Sequence, residues 1–214
     1  MTVIPQDIED YCLQHSSETD ALLKKIYRDT YADVLMPRMI SGPLQGTLLS
    51  FLSKMIKPKY VLEIGTFTGY SALCLATGLQ REGKIITIDI NEELEKRVRQ
   101  YFQQSPFAHC IEYVIADALD YIPKINLPLD LVFIDADKIN YARYFDLVID
   151  KVIKGGWIIA DNVLWSGKVL PNNATKPDKD TKALIEFNSK IKQDLRVEKL
   201  MLPIRDGITI MRKI

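Results

Sequence analysis

Histidine is scarce in this 214-residue chain, which holds only His15 and His109. That excludes a histidine-rich metal centre and any mechanism that passes protons through several imidazoles. Cysteine is scarce too. Cys12, Cys74 and Cys110 are odd in number and follow no C-x-x-C or zinc-ligand spacing, so they read as reduced, mostly buried thiols of a cytoplasmic protein. Neither sign of charge is in excess, because 28 Lys and Arg balance 28 Asp and Glu. No broad basic face is therefore expected, which argues against nucleic acid or an anionic membrane as partner. No apolar run is long enough to span a bilayer, and no charged-then-apolar leader opens the sequence. Repeats, low-complexity tracts and domain linkers are absent as well. What remains is a chain with 47% apolar residues, which suits one α/β unit with a full core.

The stretch Tyr60 to Ser71, YVLEIGTFTGYS, organises that unit. An apolar β-type run (Tyr60, Val61, Leu62, Ile64) breaks at Gly65 and restarts as a helix near Tyr70. A strand that feeds a helix through a glycine turn lets a small ligand approach the backbone. The turn lacks the G-x-G-x-x-G of dinucleotide folds and the Gly-Lys-Ser/Thr of a P-loop. Glu63 is unusual, because an acid inside an apolar strand is costly without a partner. It either caps nearby backbone N–H groups or meets a ligand.

Around this stretch the chain alternates. Pro5 before an acidic turn, and Ser17 with Asp20 before ALLKKIYRDTYADVL, predict N-terminal helices. Leu22, Leu23, Ile26, Tyr27 and Tyr31 recur at helical spacing as a packing stripe, against the sheet or another subunit. Met36 to Gly46 carries two prolines and two glycines and predicts a shaped loop, followed by an amphipathic helix over Thr47 to Ile56. Further strands are expected over Lys84 to Ile90, Ile111 to Ile115, Leu129 to Ile134 and Trp157 to Ala160. Helices are expected over Ser71 to Gly78, Glu92 to Gln103 and Tyr141 to Ile153, the last closed by Gly155 and Gly156. Such alternation predicts a parallel sheet with helices on both faces. Val169 to Asp180 reads as a long polar loop, either a lid over an acceptor pocket or a connector. A helix over Thr181 to Asp194 and an antiparallel hairpin of Val197 to Leu202 with Ile208 to Met211 complete the chain.

Four consecutive strands end in an acid: Asp89, Asp117, Asp135 and Asp161. Glu63 lies just before the end of the first strand. Ligands of open parallel sheets bind outside these carboxyl ends. Five acids on one rim, with no matching row of Lys or Arg, call for a cation: a metal, a cationic ligand, or both. Asp135, Asp161 and Asn162 are hard oxygen ligands that suit Mg²⁺, Mn²⁺ or Ca²⁺ rather than Zn²⁺. Asp89 ends the second strand, where an acid takes ribose hydroxyls in nucleotide-binding α/β folds. Lys138 is either a surface lysine paired with Asp137 or part of the site.

These residues sit in LEIGTFTGYSAL, TIDIN, ADAL, FIDADKINY, GGWIIADNVLWSG and LPIRDGITIMRK. With those segments in this order, the chain resembles the cation-dependent, S-adenosylmethionine-dependent O-methyltransferases of the caffeoyl-CoA and catechol type, and looks most like the small bacterial members. The likeness runs from about Met36 to the C-terminus. It implies a class I methyltransferase Rossmann-like fold: a seven-stranded, mostly parallel sheet with a C-terminal antiparallel hairpin and helices on both faces. It also implies a single domain over 1–214, with N-terminal helices and a substrate and cofactor loop in 1–56 and the Rossmann-like core in 57–214.

The resemblance further implies roles. Glu63, Gly65, Thr66 and Ser71 would hold the methionine part of S-adenosylmethionine. Asp89 would take its ribose, Asp117 and Ala118 would border its adenine, and Ser41, Asp135 and Asp137 would also contact it. Asp135, Asp161 and Asn162 match the ligands of Mg²⁺ (or Mn²⁺ or Ca²⁺). Lys138, beside Asp135, matches the catalytic lysine, as a base or as an electrostatic partner. Arg38, Lys138, Trp165 and Ser166 would face a phenolic small molecule with two adjacent hydroxyls. Trp165 either stacks on that acceptor or is a buried structural residue. Plant caffeoyl-CoA relatives carry asparagine where Ser166 stands, which argues against the CoA ester as substrate. A homodimer is implied as well.

Overall fold

The computed structural model describes residues 4–173 and 176–214. Strand β1 (Tyr60–Ile64) is the third strand of one seven-stranded sheet. Strands β2 (Lys84–Asp89) and β3 (Ile111–Ile115) extend it on one side. On the other lie β4 (Leu129–Ile134), β5 (Val152–Asp161), β7 (Ile208–Lys213) and, at the edge, β6 (Val197–Leu202), giving the order β3-β2-β1-β4-β5-β7-β6. The first five strands pair in parallel, and β7 pairs antiparallel with both β5 and β6. The strand order reverses between β1 and β4, so their carboxyl ends frame the crevice where such sheets bind ligands.

The helices are α1 (Gln6–Gln14), α2 (Ala21–Asp33), α3 (Gly42–Ile56), α4 (Tyr70–Ala76), α5 (Glu95–Gln104), α6 (Ala118–Tyr121), α7 (Tyr141–Ile149) and α8 (Lys179–Gln193). They cover both faces, as the alternation implied. Period-2 alternation sends Leu62, Ile64, Val132 and Ile134 into one apolar layer with α7 and α8. Val61, Leu131 and Phe133 enter the other with α2, α3, α4 and α5. Each of these side chains is at most 1% exposed, and full burial of one contributes about 1.5–3 kcal/mol. The N-terminal stripe is spent inside the chain. Ile26 is wholly buried, Leu22, Leu23 and Tyr27 pack on the second layer, and only Tyr31 stays exposed. Asp20 caps α2 by accepting from Leu22 N at 2.8 Å.

Several boundaries differ from the sequence reading, and two of the differences trace to proline and glycine. The shaped loop ends at Ser41 rather than Gly46, because Pro43 fits the first turn of α3 and Gly42, at φ 73°, starts it. Helix α7 stops at Ile149, and β5 already begins at Val152. Gly155, at φ 81°, does not close a helix. It lies in a bulge that carries the register from Leu129↔Val152 to Leu131↔Trp157. The polar loop after Val169 contains Ala174 and Thr175, which lie outside the described residues. Cys74 and Cys110 are buried and free, whereas Cys12 is exposed. Among the described residues no helix is long and apolar enough to cross a membrane.

Candidate active site

The glycine turn is clamped between its neighbours. Gly65 N donates to Ile88 O at 2.9 Å, and Asp135 N donates to Ile64 O at 2.8 Å. Gly65 has φ 100°, and a Cβ there would lie 1.9 Å from Asp135 O. Only glycine allows this approach of β1 to β4. Gly65, Thr66, Ser71 and Asp135 line one pocket with Met39, Ile40 and Ser41 from the loop before α3. Residues distant in sequence thus meet around one pocket.

Glu63, in β1 two residues before Gly65, is wholly buried. The register pairs it with Thr87, whose hydroxyl donates to Glu63 Oε2 at 2.5 Å. Oε1 is left without a hydrogen-bond partner. Burial pushes the Glu63 carboxyl up to about 8, the hydroxyls of Ser71 and Thr87 pull it down, and Asp135 and Asp89 raise it further. Glu63 therefore does not cap backbone N–H groups. It is a carboxyl with spare acceptor capacity that only a cation or a donor can use.

Beside the pocket, the ends of β4 and β5 form a second cluster. Lys138 is 8% exposed; its Nζ donates to Asp135 Oδ1 at 3.3 Å and to Tyr141 Oη at 2.6 Å. Tyr141 Oη in turn donates to Asp161 O at 3.1 Å. Burial, with Asp135 and Asp161 nearby, keeps the Tyr141 hydroxyl protonated well beyond the usual range. Asp161 is buried, and its carboxyl is pushed up by desolvation first and by Asp135 second. Its Oδ2 accepts from Gln45 Nε2 at 2.7 Å and its Oδ1 from Asn162 N at 2.7 Å. Asn162 takes a left-handed φ of 56° that asparagine tolerates. Lys138 is thus a buried member of the cluster, not a surface lysine paired with Asp137. Trp165 packs partly against the core, with Lys138 Nζ 6.0 Å from its ring centroid. Its indole Nε1 is buried without a partner.

The remaining expected residues spread along the same carboxyl edge. Asp89 accepts from Phe67 N at 2.7 Å and Asn91 N at 2.9 Å, tying β2 to the glycine turn. Asp117 caps α6 through Leu119 N, and Ala118 is buried in the first apolar layer. Asp137 accepts from Asn140 Nδ2 at 2.6 Å and Tyr144 Oη at 2.5 Å. Arg38 and Ser166 are exposed. The Arg38 carbonyl accepts from Arg205, and Ser166 N donates to Asp206.

Gln45, Tyr141 and Arg205 belong to the cluster but were not singled out as site residues. Tyr141 carried a signal, since Lys138 and Tyr141 stand three apart where a helix begins. Gln45 carried none, being 116 residues from its partner.

An O-methyltransferase family model matches residues 13–214. The chain belongs to the O-methyltransferase family. As a member it is similar to caffeoyl-CoA O-methyltransferase 2 of Petunia hybrida, with 37% identity over 82% of this chain and 77% of the relative. It is also similar to tricin synthase 1 of Oryza sativa subsp. japonica, with 33% identity over 82% of this chain and 75% of the relative. The O-methyltransferase of Bacillus cereus, solved in complex with SAH, superposes with a TM-score of 0.89. It is 28% identical, with 97% of each chain covered. The seven-stranded sheet is thus that of an S-adenosylmethionine-dependent O-methyltransferase of the caffeoyl-CoA type.

Proposed function

We propose that this O-methyltransferase methylates one hydroxyl of a small aromatic molecule with two adjacent hydroxyls, using a divalent cation held by Asp135, Asp161 and Asn162. The observation that carries the reading is the cluster of half-buried Asp135 with buried Lys138, Tyr141 and Asp161 beside the glycine-turn pocket. Two groups absent from the chain fit the residues present. The orphaned Glu63 Oε1 and the Gly65 approach suit a small cationic amino acid portion, such as that of S-adenosylmethionine. Two carboxylates and an amide suit Mg²⁺, Mn²⁺ or Ca²⁺, although among the described residues no three His, Cys, Asp or Glu gather into a metal-ligating group.

When bound, the sulfonium cofactor supplies an electrophilic methyl group and the divalent cation lowers the pKa of an acceptor hydroxyl. The chain's own residues do the rest. Ser41, Gly65, Thr66, Ser71 and Asp135 orient the donor from one side, with Glu63 on its ammonium. Asp89, Asp117, Ala118 and Asp137, further along the rim, hold its nucleoside. Lys138 donates to Asp135 and Tyr141, which leaves one N–H to stabilise a developing phenolate. That arrangement favours the electrostatic role over the base. Trp165 offers its ring and its unpaired indole N–H to the acceptor, with Arg38 and Ser166 at the rim. Much of the rate enhancement is then proximity and alignment of oxygen, carbon and sulfur.

The test is methyl transfer from S-adenosylmethionine across free catechols, hydroxycinnamates, their CoA esters and flavonoids, with and without a chelator. Turnover on vicinal diols, lost on metal removal and restored by Mg²⁺, is expected. Turnover that survives thorough chelation would sink the cation role. The protein acts as a homodimer in this reading, and sedimentation as a monomer at micromolar concentration would contradict it.

A further inference from the structure

Gln45, in the first turns of α3, is wholly buried. A buried primary amide costs several kcal/mol unless its hydrogen bonds are made, so its partners explain its place. Nε2 donates to Asp161 Oδ2 at 2.7 Å, and Oε1 accepts from Arg205 Nη1 at 3.4 Å. This orientation is fixed by chemistry. The flipped amide would set NH₂ against a guanidinium and oxygen against a carboxylate. Arg205 is itself anchored. It donates to the carbonyls of Ile40 at 2.8 Å, of Arg38 at 3.3 Å and of Ser41.

We propose that Gln45 is the positioning residue of Asp161, oriented in turn by Arg205. The inference rests on the cation role proposed for Asp161. A carboxylate at a strand end can rotate about its last side-chain bond. Here each oxygen has one fixed donor, Asn162 N on Oδ1 and Gln45 Nε2 on Oδ2, so the plane of the group is set. The remaining lone pairs then point in fixed directions, which is how a supporting hydrogen bond preorganises a metal ligand.

The residue type follows. Glutamate at position 45 would add a third carboxylate to Asp135 and Asp161. Lysine would neutralise Asp161 much as Lys138 pairs with Asp135. A neutral amide orients the ligand and leaves its charge for a cation. Asn162 N holds the carboxylate from the next residue in the chain. Gln45 holds it from α3, 116 residues earlier in the chain.

The experiment uses the full-length chain, wild type, Gln45→Met and Gln45→Asn. The first variant keeps the length and loses the donor. The second keeps the amide but is one methylene too short to reach Asp161. Free Mn²⁺ is counted by electron paramagnetic resonance, S-adenosylhomocysteine binding is followed by calorimetry, and folding by thermal melts. Both variants are expected to bind Mn²⁺ about 10–100-fold more weakly with S-adenosylhomocysteine affinity unchanged. Their turnover should recover at saturating Mn²⁺, which a merely damaged fold would not allow. Wild-type Mn²⁺ affinity in a folded variant overturns the inference. Failure of both variants to fold also overturns it, by making Gln45 a residue of the core. Absence of Mn²⁺ binding in the wild type would instead overturn the cation role of Asp161 itself.

Discussion

Glu63 should make donor binding pH-dependent. Its carboxyl is wholly buried, has one orphaned oxygen and is pushed up by burial to about 8. In the empty protein at pH 6 it is about 1% ionised, and at pH 8 about half. An ammonium group over Oε1 requires the ionised form, so each binding event below pH 8 must expel a proton. Affinity for S-adenosylhomocysteine should then rise about 50-fold between pH 6 and pH 8, and at pH 7 about 0.9 proton should leave per site. Calorimetry in buffers of different ionisation enthalpy reads the proton count directly. The same burial acts on stability, with the sign fixed by linkage. Burial raises the folded carboxyl from the ordinary 4.5 to about 8, so unfolding releases a proton between these values. The empty protein therefore loses stability as pH rises across that window, by up to about 1.4 kcal/mol per unit. Glu63→Gln should flatten both dependences and weaken binding at pH 8. Binding that is independent of pH from 6 to 8, with no proton exchanged, would refute the reasoning.

Other expectations follow from the same contacts. Gly65→Ala must fit a Cβ 1.9 Å from Asp135 O at a φ of 100°, so it should destabilise the fold by about 3 kcal/mol or more and abolish donor binding; a melt near wild type would count against the clamp. Tyr141→Phe removes the hydroxyl that accepts from Lys138, and should lower kcat by about tenfold, the equivalent of about 1.4 kcal/mol, with S-adenosylhomocysteine affinity intact; wild-type kcat would dismiss the link. Asp161→Ala should lose Mn²⁺ binding and nearly all turnover, and retention of metal-stimulated turnover would exclude Asp161 as a ligand.

The sheet was legible because alternation has a fixed period. β3 and β4 begin and end where the apolar runs do, and each expected acid sits at its strand end. The reading strained where glycine was ambiguous. Gly155 and Gly156 read as a helix stop, yet the chain uses them to bulge a strand, and both uses place glycine after an apolar run. Proline was ambiguous in the same way at Pro43, which reads as a loop marker but opens α3. Within the site, acids stood out because ionised groups are rare in apolar strands. Gln45 did not, because a glutamine in a helix is ordinary until its burial and its distant partner are known. Arg205 was hidden likewise, since Arg-Asp-Gly between two strands looks like any turn.

Arg205 has a consequence for the order in which the protein can be made. It joins a loop at residues 38–41 to the turn before the last strand, 165 residues away for Ile40. A ribosome delivers the first strands long before that arginine, so the growing chain can form β1 and its glycine turn but cannot fasten the wall that carries Ser41. Closing so long a loop is entropically slow, and it is rewarded only at the end. Chains shortened before Arg205 would therefore hold most of the sheet and yet no finished pocket.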